Sequence, residues 1–302
     1  MTVLISAVLP IALVVLVGFG LGNCFKLDLQ TLAKVNIYGM LPALVISSLA
    51  SLSLDFRSIV AMVLAYFLNT ACLYAIAVLI GKGCSLNENR KKSLIATTVF
   101  ANVGNMGLPF ILFSLGEPGL ERAIIFLVLT SFAIATVFPI VLKGEGLKAG
   151  LKFTLKLPVL WAMVIGLLLQ NITWTLPLAL DRAITLLSEG VIPLALVILG
   201  IQLANTSVGI SRYEWLGTGL RLIVAPLMAC GFGKLCGLGG LDFQVFVLQA
   251  GMPSAVNSLI WVTELGGDRI QVSRTIVFST LMSLLSLPLL LRWLGGTASF
   301  TG

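Results

Sequence analysis

Ten apolar stretches, each close to the length that spans a bilayer and separated by charges and turn residues, decide what this chain can fold into. They run approximately over residues 3–22, 31–52, 57–80, 93–114, 120–142, 157–173, 182–205, 215–236, 242–262 and 272–294. Backbone surrounded by lipid must satisfy its own N–H and C=O groups, which segments of this length do as helices. The expected class is an all-α polytopic membrane protein with ten transmembrane helices. Composition agrees, since 58% of the 302 residues are hydrophobic and 10% charged, with a mean hydropathy of +1.08. A soluble domain does not carry that balance.

Several function classes fall away at once. The net charge of +7 comes from Lys and Arg scattered between apolar segments, without the basic face and stacking aromatics of a nucleic-acid binder. The first charged side chain is Lys26, so a signal peptide's basic leader is missing and the first segment is expected to stay as a helix. There is no histidine, and the five cysteines, Cys24, Cys72, Cys84, Cys230 and Cys236, have no metal or disulfide spacing. No metal, no cofactor and no enzyme chemistry are expected, and nothing resembles a nucleotide loop.

Orientation follows from the basic residues. The odd-numbered connections, counting Arg212 and Arg221 in the seventh, hold 14 Lys and Arg, whereas the even-numbered ones and the C-terminal end hold 5. The positive-inside rule then puts the odd connections in the cytoplasm, with both termini outside a cytoplasmic (inner) membrane.

The prolines mark a duplication. Pro10, Pro42, Pro109 and Pro139 find counterparts in Pro158, Pro193, Pro253 and Pro288, at offsets of 148, 151, 144 and 149 residues. The expected organisation is a five-helix repeat over 1–142, a cytoplasmic linker over 143–156 and a second repeat over 157–302. Five is odd, so the second copy inserts upside down, an inverted-topology repeat of the kind found in secondary transporters.

Within that frame the fourth and ninth segments carry interruptions. Asn102, Gly104, Asn105, Gly107 and Pro109 crowd one; Gln249, Gly251, Pro253, Ser254 and Asn257 crowd the other. Pro109 leaves the Asn105 carbonyl without its helical donor, and Pro253 does the same to Gln249, so a break or kink is expected at Gly107, Pro109, Gly251 and Pro253. Half-helices beginning near Met106 and Met252 would present free N–H groups and positive dipole ends at the membrane centre, which favours an anion. Asn102, Gly104, Asn105, Gln249, Ser254 and Asn257 are the candidate substrate-binding set. The carboxamides have a second possible role, satisfying the carbonyls freed by the prolines.

Acidic residues are scarce inside the spans. Asp55, Glu117, Glu121, Asp181, Asp242 and Asp268 fall at span ends as solvated caps, and no acid lies plainly at mid-membrane. Glu189 and Glu264 are the candidates for ion coupling, with the amides Asn69 and Gln202 behind them. Proton, sodium and no coupling all stay open at this point.

Four motifs in order, Asn36-Ile-Tyr-Gly-Met-Leu-Pro-Ala-Leu-Val-Ile-Ser-Ser-Leu-Ala50, Ala101-Asn-Val-Gly-Asn-Met-Gly-Leu-Pro109, Ile192-Pro-Leu-Ala-Leu-Val-Ile-Leu-Gly200 and Ser279-Thr-Leu-Met-Ser-Leu-Leu-Ser-Leu-Pro288, resemble the auxin efflux carrier family in its compact prokaryotic form. The resemblance implies a fold like that of bile-acid symporters and sodium/proton antiporters, with crossed, broken helices four and nine. It further implies a homodimer whose scaffold is helices 1, 2, 6 and 7, and a transport domain of helices 3–5 and 8–10 that moves as an elevator. Plant members export an indole carboxylate, and bacterial relatives are associated with dicarboxylates such as malate or malonate. The expected function is secondary active or facilitated transport of a small organic anion. The alternatives are a sodium- or proton-coupled symporter or antiporter, and a membrane sensor or assembly subunit that moves no solute.

Overall fold

The computed structural model describes residues 7–50, 55–143, 155–171, 177–206, 209–259, 262 and 266–295, and these are helical apart from their connections and one isolated antiparallel bridge. In chain order the helices are α1 (Leu9–Cys24), α2 (Leu29–Ala50), α3 (Phe56–Gly83), α4 (Glu88–Val99), α5 (Leu108–Lys143), α6 (Pro158–Asn171), α7 (Leu178–Ala204), α8 (Arg212–Leu235), α9 (Gly240–Ala250) and α10 (Arg269–Trp293). α5 is two runs that meet at Gly116, where φ 70 and ψ −171 leave helical space and require a residue without a Cβ. Each of the ten apolar stretches falls on a helix. Among the described residues six runs are long and apolar enough to cross a membrane, and α1 and α6 are shorter apolar helices. α4 and α9 are short because each is the first half of a broken span.

Polar side chains define where the apolar runs start. Asp28 and Asn87 accept backbone N–H groups at the heads of α2 and α4, and Asp268 does so for Ile270 and Gln271 at the head of α10. Ser211 and Glu214 form a reciprocal capping box on α8. Glu214 is buried, an acid near the membrane that its sequence position did not advertise, and the capping bond uses its carboxylate.

The prolines act less drastically than expected. Val35–Met40, Val103–Gly107 and Leu220–Val224 are π-helical turns, and each is followed two residues later by a proline, Pro42, Pro109 and Pro226. A proline without an N–H lets the preceding turn widen by one residue, and the helix continues. Pro193 and Pro288 lie inside α7 and α10, also without breaking them.

The helices pack in two groups. α1 lies along α7, and α2 along α6 and α7; α3 contacts α4 and α8, while α8 packs on α9 and α10, and α9 on α5. The π turn Val103–Gly107 and α5 join the groups through α7, α2 and α6. Tyr66, Phe126 and Phe246 tie α3, α5 and α9 together, with ring centroids 5.2 and 5.6 Å apart.

Glycines set the closest approaches in the first group. A Cβ on Gly18 would overlap the backbone of Val197, and one on Gly166 would lie 2.9 Å from Leu49 Cβ and 3.2 Å from the Ile46 carbonyl oxygen. Gly18 and Gly166 each stand eight residues after the proline that opens their helix. Val197 and Ile46 each stand four residues after Pro193 and Pro42. The two halves of the chain therefore make the same helix contact at equivalent places.

Candidate functional site

The two interruptions meet. At Phe100–Asn102 and Gly251–Asn257 the chain leaves the helix, and the segments pair antiparallel at Ala101 and Ser254. The Asn102 N–H donates to the Pro253 carbonyl and the Ala255 N–H to the Phe100 carbonyl, both at 2.8 Å. Two main-chain bonds thus satisfy groups that broken helices would otherwise strand in the membrane.

The breaks differ from the proline-based expectation. Pro253 does lie inside the second break, but the first lies upstream of Pro109, which stays in helix after its π turn. The half-helix expected near Met252 resumes instead at Ser258, because Met252 belongs to the pairing segment. The bridge partners Ala101 and Ser254 stand 153 residues apart, so the 144-residue offset of Pro109 and Pro253 does not align equivalent positions.

On one side of the crossover α4 and α9 end, and there the structure places Arg221. Its Nε donates to the Met252 carbonyl and Nη1 to that of Thr98, each at 2.8 Å, while Nη2 donates to the Ala250 carbonyl. The residue is 2% exposed, and among the described residues no carboxylate pairs with it. Each helix C-terminus carries about −0.5 charge, so the two together match one guanidinium. Counting Arg221 in the seventh connection was wrong: it sits in the π turn Leu220–Val224 of α8. Its removal leaves 13 basic residues against 5, and the bias stands.

On the other side the second half-helices begin, and there a cavity of about 970 Å³ opens. Asn102, Gly104, Asn105 and Asn257 line it, with Asn36, Tyr38, Thr130, Ser131 and Ser258. Thr130, Ser131 and Ser258 direct their hydroxyl protons to backbone carbonyls. Asn105 is half-buried and Asn257 exposed to the cavity. Lys34 and Lys156 also line it, and among the described residues no Asp or Glu does. Gln30 lines it too, and the rest of the wall is mainly apolar, including Leu41, Leu108, Leu127 and Val191.

Other candidates lie elsewhere. Gln249 is fully buried, and its carboxamide fills the space a Cβ on Gly107 would need. Ser254 is buried and bonded, its Oγ to the Thr97 carbonyl and its N–H to Ser279 Oγ. Gly251 packs against Leu290 and Pro226. Asn69 is buried beside a cavity of about 10 Å³ that it shares with Arg221 and Tyr66. Gln202 is buried late in α7, Glu189 is exposed on the same helix, and Glu264 lies outside the described residues.

Comparison with known proteins decides the family. A membrane transport protein family model matches residues 3–156 and again 147–291. The chain belongs to the auxin efflux carrier family of membrane transport proteins. An uncharacterized transporter of Methanothermobacter thermautotrophicus is 32% identical over 295 residues, covering 94% of this chain and 96% of that protein. A second, from Methanocaldococcus jannaschii, is 25% identical over 304 residues with the same coverage. The protein is thus an integral membrane transporter and not an enzyme, and the two matches of one family model point to an internal repeat.

In this transporter sequence reasoning missed Arg221, Lys34 and Lys156. Arg221 had a signal: it is the charge closest to Pro226 within an apolar run. The lysines had none, because each lies at the edge of an apolar stretch near other basic residues, and only folding brings the two to one cavity.

Proposed function

We propose that the protein carries a small organic anion, a carboxylate, across the cytoplasmic membrane by alternating access, as a secondary active or facilitated transporter. One observation carries this reading. The cavity at the crossover is lined by two lysines, two half-helix N-terminal ends and the carboxamides of Asn105 and Asn257, and by no acid among the described residues. Every electrostatic element there favours negative charge. A cation substrate would meet only repulsion and neutral acceptors.

The division of the helices into two packing groups supports an elevator in which α3–α5 and α8–α10 move against a scaffold of α1, α2, α6 and α7. The equivalent contacts of Gly18 and Gly166 support two inverted five-helix repeats. Lys34, in the first turns of α2, and Lys156, just before α6, lie next to odd-numbered connections, so under the positive-inside assignment the cavity faces the cytoplasm and both termini lie outside. The exposed apolar face of α1 and α7 is then available for lipid or for a second copy in a homodimer.

Labelled malate and indole-3-acetate, offered to proteoliposomes with and without sodium or pH gradients, test the reading. Uptake or counterflow of at least one is expected. Asn105→Ala and Asn257→Ala should each lower it about 10- to 100-fold, the loss of one hydrogen bond to a charged group. Unchanged flux in both variants would remove them from the site. Lys34→Gln with Lys156→Gln should raise the half-saturating concentration about 3- to 10-fold at low salt and less at high salt, because surface charges attract through a screened field.

A further inference from the structure

We propose that Arg221 is the carrier's built-in countercharge: the unit holding the crossover has no net charge at its membrane centre when it carries a monoanion, and one positive charge there when empty. The inference rests on the anion-carrier reading and adds which step of the cycle the membrane potential drives. Arg221 is buried beside the crossover, and its three nitrogens are held by carbonyls at the ends of α4 and α9. A guanidinium stays protonated in any protein environment.

Helix dipoles hold that charge in place but do not cancel it. The half-charges at the C-terminal ends are matched by those at the opposite ends of the same helices, so over the whole unit they sum to zero. Arg221 therefore remains as one formal charge in the low-dielectric middle, with no carboxylate beside it among the described residues. Of the other charges of the same helices, Glu214 and Asp242 stand in the first turns of α8 and α9, and Arg122 pairs with Asp242 at 2.5 Å. The cavity adds none, for Lys34 belongs to α2 and Lys156 to the segment before α6. A bound carboxylate brings the central sum to zero.

A potential that is negative inside then draws the empty unit inward and leaves the loaded unit unaffected. The result is net export of a monoanion without a coupling cation. A full elementary charge across 100 mV changes the return equilibrium by up to about 50-fold.

The test compares exchange with net flux of indole-3-acetate in proteoliposomes of the whole protein, with valinomycin and potassium setting the potential. Exchange uses only loaded crossings and is expected to change less than about 2-fold between 0 and −100 mV, whereas net efflux should rise several-fold. Malate, a dianion at neutral pH, makes the loaded unit negative, so its exchange should become voltage-dependent. Arg221→Lys keeps the charge and should keep the pattern. Arg221→Gln, if it folds, should make monoanion exchange voltage-dependent. Monoanion exchange as voltage-sensitive as net flux in the native protein would overturn the proposal and leave the carrier reading intact. Absence of exchange for both anions would overturn the carrier reading and, with it, this proposal.

Discussion

Arg221→Met is expected to lower the stability of the protein by about 5 kcal/mol, because hydrogen bonds to a charged group contribute about 1.5–3 kcal/mol each and Arg221 makes three. The carbonyls of Thr98, Ala250 and Met252 would then face apolar surroundings with no donor, and two negative helix ends would lie side by side uncompensated. A change of that size is comparable to the whole stability of many proteins. Arg221→Lys keeps the charge but lacks the planar fork that reaches three carbonyls at once, so an intermediate loss of about 2 kcal/mol is expected. Thermal unfolding of purified protein in detergent, followed by tryptophan fluorescence, measures both. A methionine variant that unfolds with the native protein would show that the crossover does not depend on Arg221.

Gly200→Val should have the next largest effect, about 3 kcal/mol. A Cβ there would overlap the Val15 carbonyl oxygen and lie 2.7 Å from the Phe19 nitrogen and 2.8 Å from Gly18 Cα, all of them main-chain atoms that cannot turn aside. α1 and α7 would have to separate along their whole contact. Close packing is the main attraction between helices where lipid is as apolar as the side chains, so that separation has no compensating gain. Gly20→Val serves as the control: a Cβ on Gly20 meets nothing within 4 Å, and its unfolding temperature should stay close to the native value. Equal losses at both positions would mean that helix propensity, not contact, explains the effect.

Much of the fold was legible in the chain. Ten apolar stretches became helices because lipid leaves the backbone few alternatives. Asp268 at the head of α10 acts as the cap its position suggested. Asn105 and Asn257 were legible as candidates for the same reason, since a carboxamide inside an apolar run is costly unless something uses it. Pro109 misled. Proline removes one N–H wherever it stands, but whether the helix breaks or opens into a π turn depends on whether the freed carbonyls find partners, and those partners are distant in sequence. Gln249 shows the same limit, because its spacing from Pro253 matches a cavity residue while its side chain points into the packing against Gly107.

The interruption at Asn102–Asn105 and its counterpart at Gln249–Asn257 were legible in the sequence as places where a membrane helix is uncomfortable, along with the apolar stretches that became helices. Local chemistry suffices for those, since hydropathy, proline and charge act over a few residues. Tertiary structure alone decided that the two interruptions pair at Ala101 and Ser254, that Arg221 closes their negative ends, and that Lys34 and Lys156 join them at one cavity. Each of those contacts joins residues that are far apart in the chain, and no property of either partner alone specifies the other.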